Sequence, residues 1–387
     1  MFRRLDNRPG HYLLLVAAAA ALFLPNLGGP SLWDIDEGNN AEAAREMLER
    51  DDWVVPQFNY QLRVDKPALL YWLQLAAYRA FGVNEFAARL PSALAALASV
   101  LFTCELGRRA FGPAAGLLGG LVLASTVSFC AAAHFANPDA LLNASTVLTF
   151  LFFWRGFAAG GRGWFLLAGA ASGLAVLAKG PVGLVLPLAV AGLFLLWSRR
   201  LRILWGRNLL WGCLAFVLVT APWYAWVGAE TKGEFLRGFL LTHNRDRFLA
   251  PMENHNGPPF YYALALVAGF APWSVFLGPA AWHAWKGLRG RGADAPPEER
   301  RPAYRFLACW VAVYFVFFSI SRTKLPNYIL PLFPPVALLT ADLLDRWRRG
   351  EVRLPGWVTG LSLTCLALIG VGVGGGLLVA GGAVRPD

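Results

Sequence analysis

Three carboxylates fall within four residues at Asp34-Ile35-Asp36-Glu37, with Asn39 and Asn40 close behind. Clustered acids can form a metal site, act as a general base, or simply make a solvated helix start that suits the positive N-terminal dipole. Cations that fit an anion recur further along. Asp65-Lys66-Pro67 sets an ammonium beside an acid, Lys179-Gly180-Pro181 puts one in a tight turn, and Ser321-Arg322-Thr323-Lys324 offers two before Pro326 and Asn327. Lys and Arg hold phosphate through charge-assisted hydrogen bonds. Asn137-Pro138-Asp139 adds an acid at a helix start, and His243-Asn244 stands with Arg245, Arg247, Glu253 and His255. Histidine with carboxylates would suit zinc, although this spacing matches no compact metal motif. Each group also has a plain reading as a cap, a snorkelling cation or a solvated charge.

The elements that must position these residues are membrane helices. Of the 387 residues, 57% are hydrophobic and 15% charged, and the mean hydropathy is +0.46. Those figures exclude a soluble globular enzyme, a disordered chain and a disulfide-stapled domain. Apolar runs at 12–28, 86–107, 113–134, 140–157, 163–178, 181–197, 208–227, 260–283, 304–320, 328–343 and 357–380 predict about eleven spans in an all-α polytopic bundle. The first is read as a retained helix rather than a cleaved signal. The five cysteines lie in apolar runs without ligand spacing and read as small filler.

Placing the N-terminus in the cytoplasm puts 21 of the 35 Lys and Arg residues on the inner side, as the positive-inside rule requires. The net charge of +11 is then a topology signal, and nucleic acid is not an expected partner. All six candidate groups fall on the outer, periplasmic side of an inner membrane. Two outer segments are long, 29–85 and 228–259. Within the first, 40–50 has Ala41, Ala44, Met47 and Leu48 on one face, with Glu42, Arg45, Glu46 and Glu49 opposite. The apolar 68–81 is too short to span, so both predict interfacial helices. Acids near cations at such a surface suit a lipid-linked phosphate donor. The cations would bind its phosphate and a carboxylate would serve the acceptor or the sugar cation.

Seven collinear blocks carry a family resemblance: DEGNNAEAAREMLERDDWVVPQFN (36–59), DKPALLYW (65–72), FGVNEFAARLPSAL (81–94), NPDALL (137–142), LAKGPVGLVLP (177–187), HNRDRFLAPMENHNGPPFYY (243–262) and SRTKLPNYILPLFP (321–334). The chain resembles the GT-C membrane glycosyltransferases, above all the aminoarabinose–lipid A transferases and the protein O-mannosyltransferases. The resemblance implies transfer of a sugar from a polyprenyl-phosphate donor to an envelope acceptor. A lipid A-type glycolipid is the first acceptor and a protein hydroxyl the alternative. It implies Asp36 as the catalytic acid with Glu37 supporting it, and Lys66, Arg322 and Lys324 on the donor phosphate. Asp139, Lys179, Asn244 and Arg247 are further site candidates. Asp65 and His243 are candidate ligands of a divalent metal, zinc, magnesium or manganese. Residues 1–387 are expected to form one glycosyltransferase domain without the soluble outer domain usual in relatives. The rivals are a lipid-sugar transporter and a non-catalytic assembly partner.

Overall fold

Inside lipid no water is available to pair backbone N–H and C=O groups, so apolar runs must fold as helices. The computed structural model of the chain describes residues 8–32, 35–204, 207–250, 256–290 and 297–380. It is a helical, multi-pass membrane architecture with one two-residue hairpin. In chain order the helices are α1 (Arg8–Phe23), α2 (Ile35–Glu49), α3 (Leu69–Phe81), α4 (Glu85–Ala110), α5 (Pro113–Ala124), α6 (Val127–Ala133), α7 (Asp139–Ala159) and α8 (Arg162–Lys179). Next come α9 (Val182–Trp197), α10 (Arg207–Glu230), α11 (Tyr261–Gly269), α12 (Leu277–Arg289), α13 (Arg301–Ile320), α14 (Phe333–Arg348) and α15 (Gly356–Ala380).

Length and composition single out fewer helices than the eleven expected spans. Among the described residues five helices are long and apolar enough to cross a membrane, or up to seven if each of two bent pairs is one crossing. The expected spans 113–134 and 260–283 are those bent pairs: α5 and α6 turn by 67°, and α11 and the helix from Trp273 turn by 116°. Ser125 and Thr126 release the first helix by bonding the carbonyls of Leu121 and Leu123, and Pro272 lacks an N–H to continue the second. The two breaks satisfy one another. Val127 N donates to Ala271 O (2.9 Å), and Trp273 Nε1 donates to Ser125 Oγ (2.9 Å).

The first loop folds back over the bundle. Ala41, Ala44 and Met47 of α2 pack on Tyr71, Leu75 and Tyr78 of α3, which in turn rests on α4. Both segments expected to be helical in the first outer loop therefore form helices. Glu46, however, is buried, and its Oε2 accepts from Tyr60 N (3.0 Å) in the hairpin that pairs Gln57–Phe58 with Gln61–Leu62. Asn59 and Tyr60 turn that hairpin with positive φ values of 53° and 58°, the two-residue geometry that matches strand twist. Below, Phe150, Phe153, Phe194, Phe306 and Trp310 interlock as the aromatic centre of the main core.

Candidate functional site: two cavities with a shared wall

The loop is anchored by a buried ion pair. Arg89 of α4 binds Glu37 through Nε and Nη2 (2.7 and 2.9 Å) and also donates to the carbonyls of Leu27, Pro30 and Ser31. Glu37 Oε1 further accepts from Ala136 N (3.0 Å). Glu37 is thus fully enclosed, and its neighbour Asp36, in the first turn of α2, is the acid that reaches a cavity. That cavity, about 340 Å³, is also lined by Ser128 of α6, by Asn137 and Asp139 at the start of α7, and by Asn327.

A second cavity of about 120 Å³ gathers Asp65, Lys66, Lys179, His243, Asn244, Ser321 and Tyr328, walled by Phe239, Phe248, Phe317 and Phe318. Lys179 arrives through the turn at Gly180, where φ is +87° and an added Cβ would stand 2.5 Å from Phe239, so only glycine fits. His243 lies in a π-helical turn, Gly238–Asp246, in which Asn244 Nδ2 ties back to Phe239 O (2.7 Å). The two cavities share a wall. Asp139, on the Asp36 side, pairs with Lys179, on the Lys66 side, and accepts from Asn327 Nδ2 (2.7 Å); Lys179 also faces the Tyr328 ring at 4.7 Å.

Asp65 is the electrostatic centre of the second cavity. Burial alone would raise its pKa. The hydrogen bond from His243 Nε2 (3.0 Å), the Arg63 guanidinium 3.3 Å away and the Lys66 charge outweigh burial and hold it at about 2. Arg63 is itself buried, donating to Tyr71 Oη (3.0 Å) and Asn40 Oδ1 (3.3 Å). His243 Nδ1 is buried without a protein partner.

The expected residues do not all converge. Asp65, Lys66, Lys179, His243 and Asn244 share one cavity, and Asp36 and Asp139 the other. Arg322 is exposed beside the second cavity, its N–H donating to Phe248 O (3.1 Å). Lys324 turns away. Its ammonium is buried against Ser319 O (2.7 Å), where desolvation and then Arg322 push its pKa down. The Arg247 side chain, Asp34, Glu253 and His255 lie outside the described residues. The two expected metal ligands stand side by side. Asp65 and His243 bond one another, and no group of three or more His, Cys, Asp or Glu residues is assembled among the described residues. Sequence reading missed Arg63 and Arg89, because a buried arginine looks in sequence like an exposed one. It also missed Tyr328, which follows the flagged cations by four residues.

The chain was compared with known proteins. The family model for dolichyl-phosphate-mannose-protein mannosyltransferases matches residues 65–226. An undecaprenyl phosphate-alpha-4-amino-4-deoxy-L-arabinose arabinosyl transferase of Pseudomonas aeruginosa (strain UCBPP-PA14) is 35% identical over 94% of this chain and 65% of its own length. The transferase of the same description from Erwinia tasmaniensis is 32% identical over 85% and 59%. The chain thus spans 59% to 65% of the length of these curated relatives. The crystal structure of ArnT from Cupriavidus metallidurans bound to undecaprenyl phosphate superposes with a TM-score of 0.81 at 30% identity, over 98% of this chain and 66% of that one. An Archaeoglobus fulgidus oligosaccharyltransferase, at 14% identity and a TM-score of 0.60 over 96% of this chain and 55% of its own, shares the fold.

Proposed function

We propose that this chain, a member of the GT-C superfamily of membrane glycosyltransferases, moves a sugar of the 4-amino-4-deoxy-L-arabinose class from undecaprenyl phosphate to a lipid A-type glycolipid. The observation that carries this reading is the convergence of Lys66, Lys179 and His243 on an aromatic-walled cavity beside the one that Asp36 lines. Cations set in apolar walls suit a phosphate that bears a prenyl chain. Lys66 and His243 hold that phosphate. As the bond from sugar C1 to the phosphate oxygen breaks, its charge grows and their grip strengthens, which is what lowers a barrier. The acceptor oxygen bonds to C1, and its proton, where it carries one, passes to Asp36. Glu37 positions Asp36 through Arg89. Arg322 meets the donor at the edge of the cavity. No step is routed through a metal.

The same reading takes residues 1–387 as one functional unit. The apolar runs support eleven crossings of the bacterial inner membrane once helices shorter than a full span are counted, and the Lys and Arg distribution supports the N-terminus in the cytoplasm and both cavities at the periplasmic surface. The test is binding of undecaprenyl phosphate to purified protein. A charge-assisted contact contributes about 1.5–3 kcal/mol, so Lys66→Ala weakens binding by tenfold or more. Lys324→Ala, whose ammonium faces away, leaves it near wild type. Equal losses in the two variants, or none in Lys66→Ala, would contradict the assignment.

A further inference from the structure

Beside the second cavity and away from it along the bundle, α9 and α10 each pack on α8, and the wedge between them forms an apolar groove of about 340 Å³ that runs from Leu184, two residues past Val182 of that cavity, to Asn208 at the opposite end of the bundle. Phe153 of α7 and Phe165 of α8 make its floor; Leu188 of α9 and Cys213 of α10 flank it. Leu188 and Cys213 are exposed, so the groove opens sideways, in the direction lipid would occupy. Asn208, which lines the groove, donates to Ile203 O (2.9 Å) in the loop that follows α9.

That loop carries Arg199, Arg200 and Arg202, all exposed around a shallow basin, with Arg200 over the Phe157 ring at 5.3 Å. Among the described residues none of the three pairs with a carboxylate. Several other arginines assigned to the same side do, Arg108 and Arg109 with Glu105, Arg300 with Asp342, Arg348 and Arg349 with Asp345, while Arg155 and Arg305 lie over the rings of Trp164 and Trp197. The positive-inside bias accounts for arginines at this surface but not for their gathering, without acids, at the base of an open apolar groove.

We propose that the α9–α10 groove and its arginine loop bind one anionic glycerophospholipid of the inner leaflet, an acyl chain in the groove and the phosphate on Arg199, Arg200 and Arg202. A headgroup phosphate there meets three guanidinium groups that no acid among the described residues pairs with, while the acyl chain covers the apolar lining of the groove. The cytoplasmic placement of this loop rests on the orientation proposed above.

The test is lipid retention by the full chain in detergent, read by native mass spectrometry with dioleoyl phosphatidylglycerol and dioleoyl phosphatidylcholine as probes. Phosphatidylglycerol is expected to be retained over phosphatidylcholine. Retention should fall about fivefold for each arginine removed, up to the triple variant R199Q/R200Q/R202Q. Cys213→Trp, which fills the groove, should also lose it, with Leu188→Trp as the replacement if that variant misfolds; millimolar inorganic phosphate should not displace the lipid. Equal retention of the two lipids by the wild type would overturn the proposal, as would full retention by the triple variant or by the groove-filled one. So would displacement by phosphate alone, or a groove-filled variant that loses undecaprenyl phosphate and keeps phosphatidylglycerol. Retention in detergent does not depend on which way the chain faces, so failure here leaves the orientation and the transferase reading untouched.

Discussion

Asp65 stays charged in a partly buried place because His243, Arg63 and Lys66 all favour its anion. Its pKa in the fold, about 2, lies below the roughly 3.9 of an unfolded aspartate. A depressed carboxylate pKa stabilises the fold fully above the unfolded value, and that gain is lost as pH falls through the folded one. The thermal midpoint of the wild type should therefore exceed that of Asp65→Asn by a constant margin from pH 7 to about pH 5. The margin should shrink as pH is lowered from about 4 towards 2; a margin that grows over that interval would contradict the pairing. At this scale the sequence was informative where a charge sits in a turn or beside proline, as Lys66 and Lys179 do. It misled at Lys324, which reads like Arg322 but whose ammonium is drawn inward by the Ser319 carbonyl. It was silent on Arg63 and Arg89, whose partners lie in other elements.

The helices were legible because lipid leaves apolar runs no other way to pair their backbones. Their breaks were not. Ser125 and Thr126 are tolerated within a helix, and only the distant Ala271 carbonyl and Trp273 indole make the bend at 125–126 affordable. The hairpin at Gln57–Leu62 hid in a short polar stretch whose one signal is Asn59. The junction of α2 and α4 depends on a salt bridge with almost no exposure, 2% for Arg89 and none for Glu37. Removing one partner of such a pair strands a buried charge and costs about 3–5 kcal/mol. Arg89→Ala should thus lower thermal stability in detergent sharply, and Arg89→Met with Glu37→Gln should recover part of the loss. A single variant as stable as wild type would show that the pair does not hold the loop.

For the whole molecule, the proposed orientation rests on charge bias and can be measured apart from chemistry. In a chain cleared of native cysteines, Asn59→Cys and Lys232→Cys should react with an impermeant thiol reagent added outside intact cells. Arg353→Cys should react only after the inner membrane is opened; the reverse pattern would invert the topology and remove the site from the periplasm. In the proposed mechanism the Asp139–Lys179 pair joins two cavities, one assigned to the donor phosphate and one where Asp36 would meet the acceptor. The central claim is that Asp36 acts on the reacting atoms and does not hold the donor. The most direct measurement is sugar transfer by purified Asp36→Asn, alongside its affinity for undecaprenyl phosphate. Asparagine keeps the size of the side chain and removes its charge and basicity, so turnover should fall by about 10²–10⁴-fold while donor affinity and stability stay near wild type. Full transfer by Asp36→Asn in a stable, donor-binding protein would contradict the account.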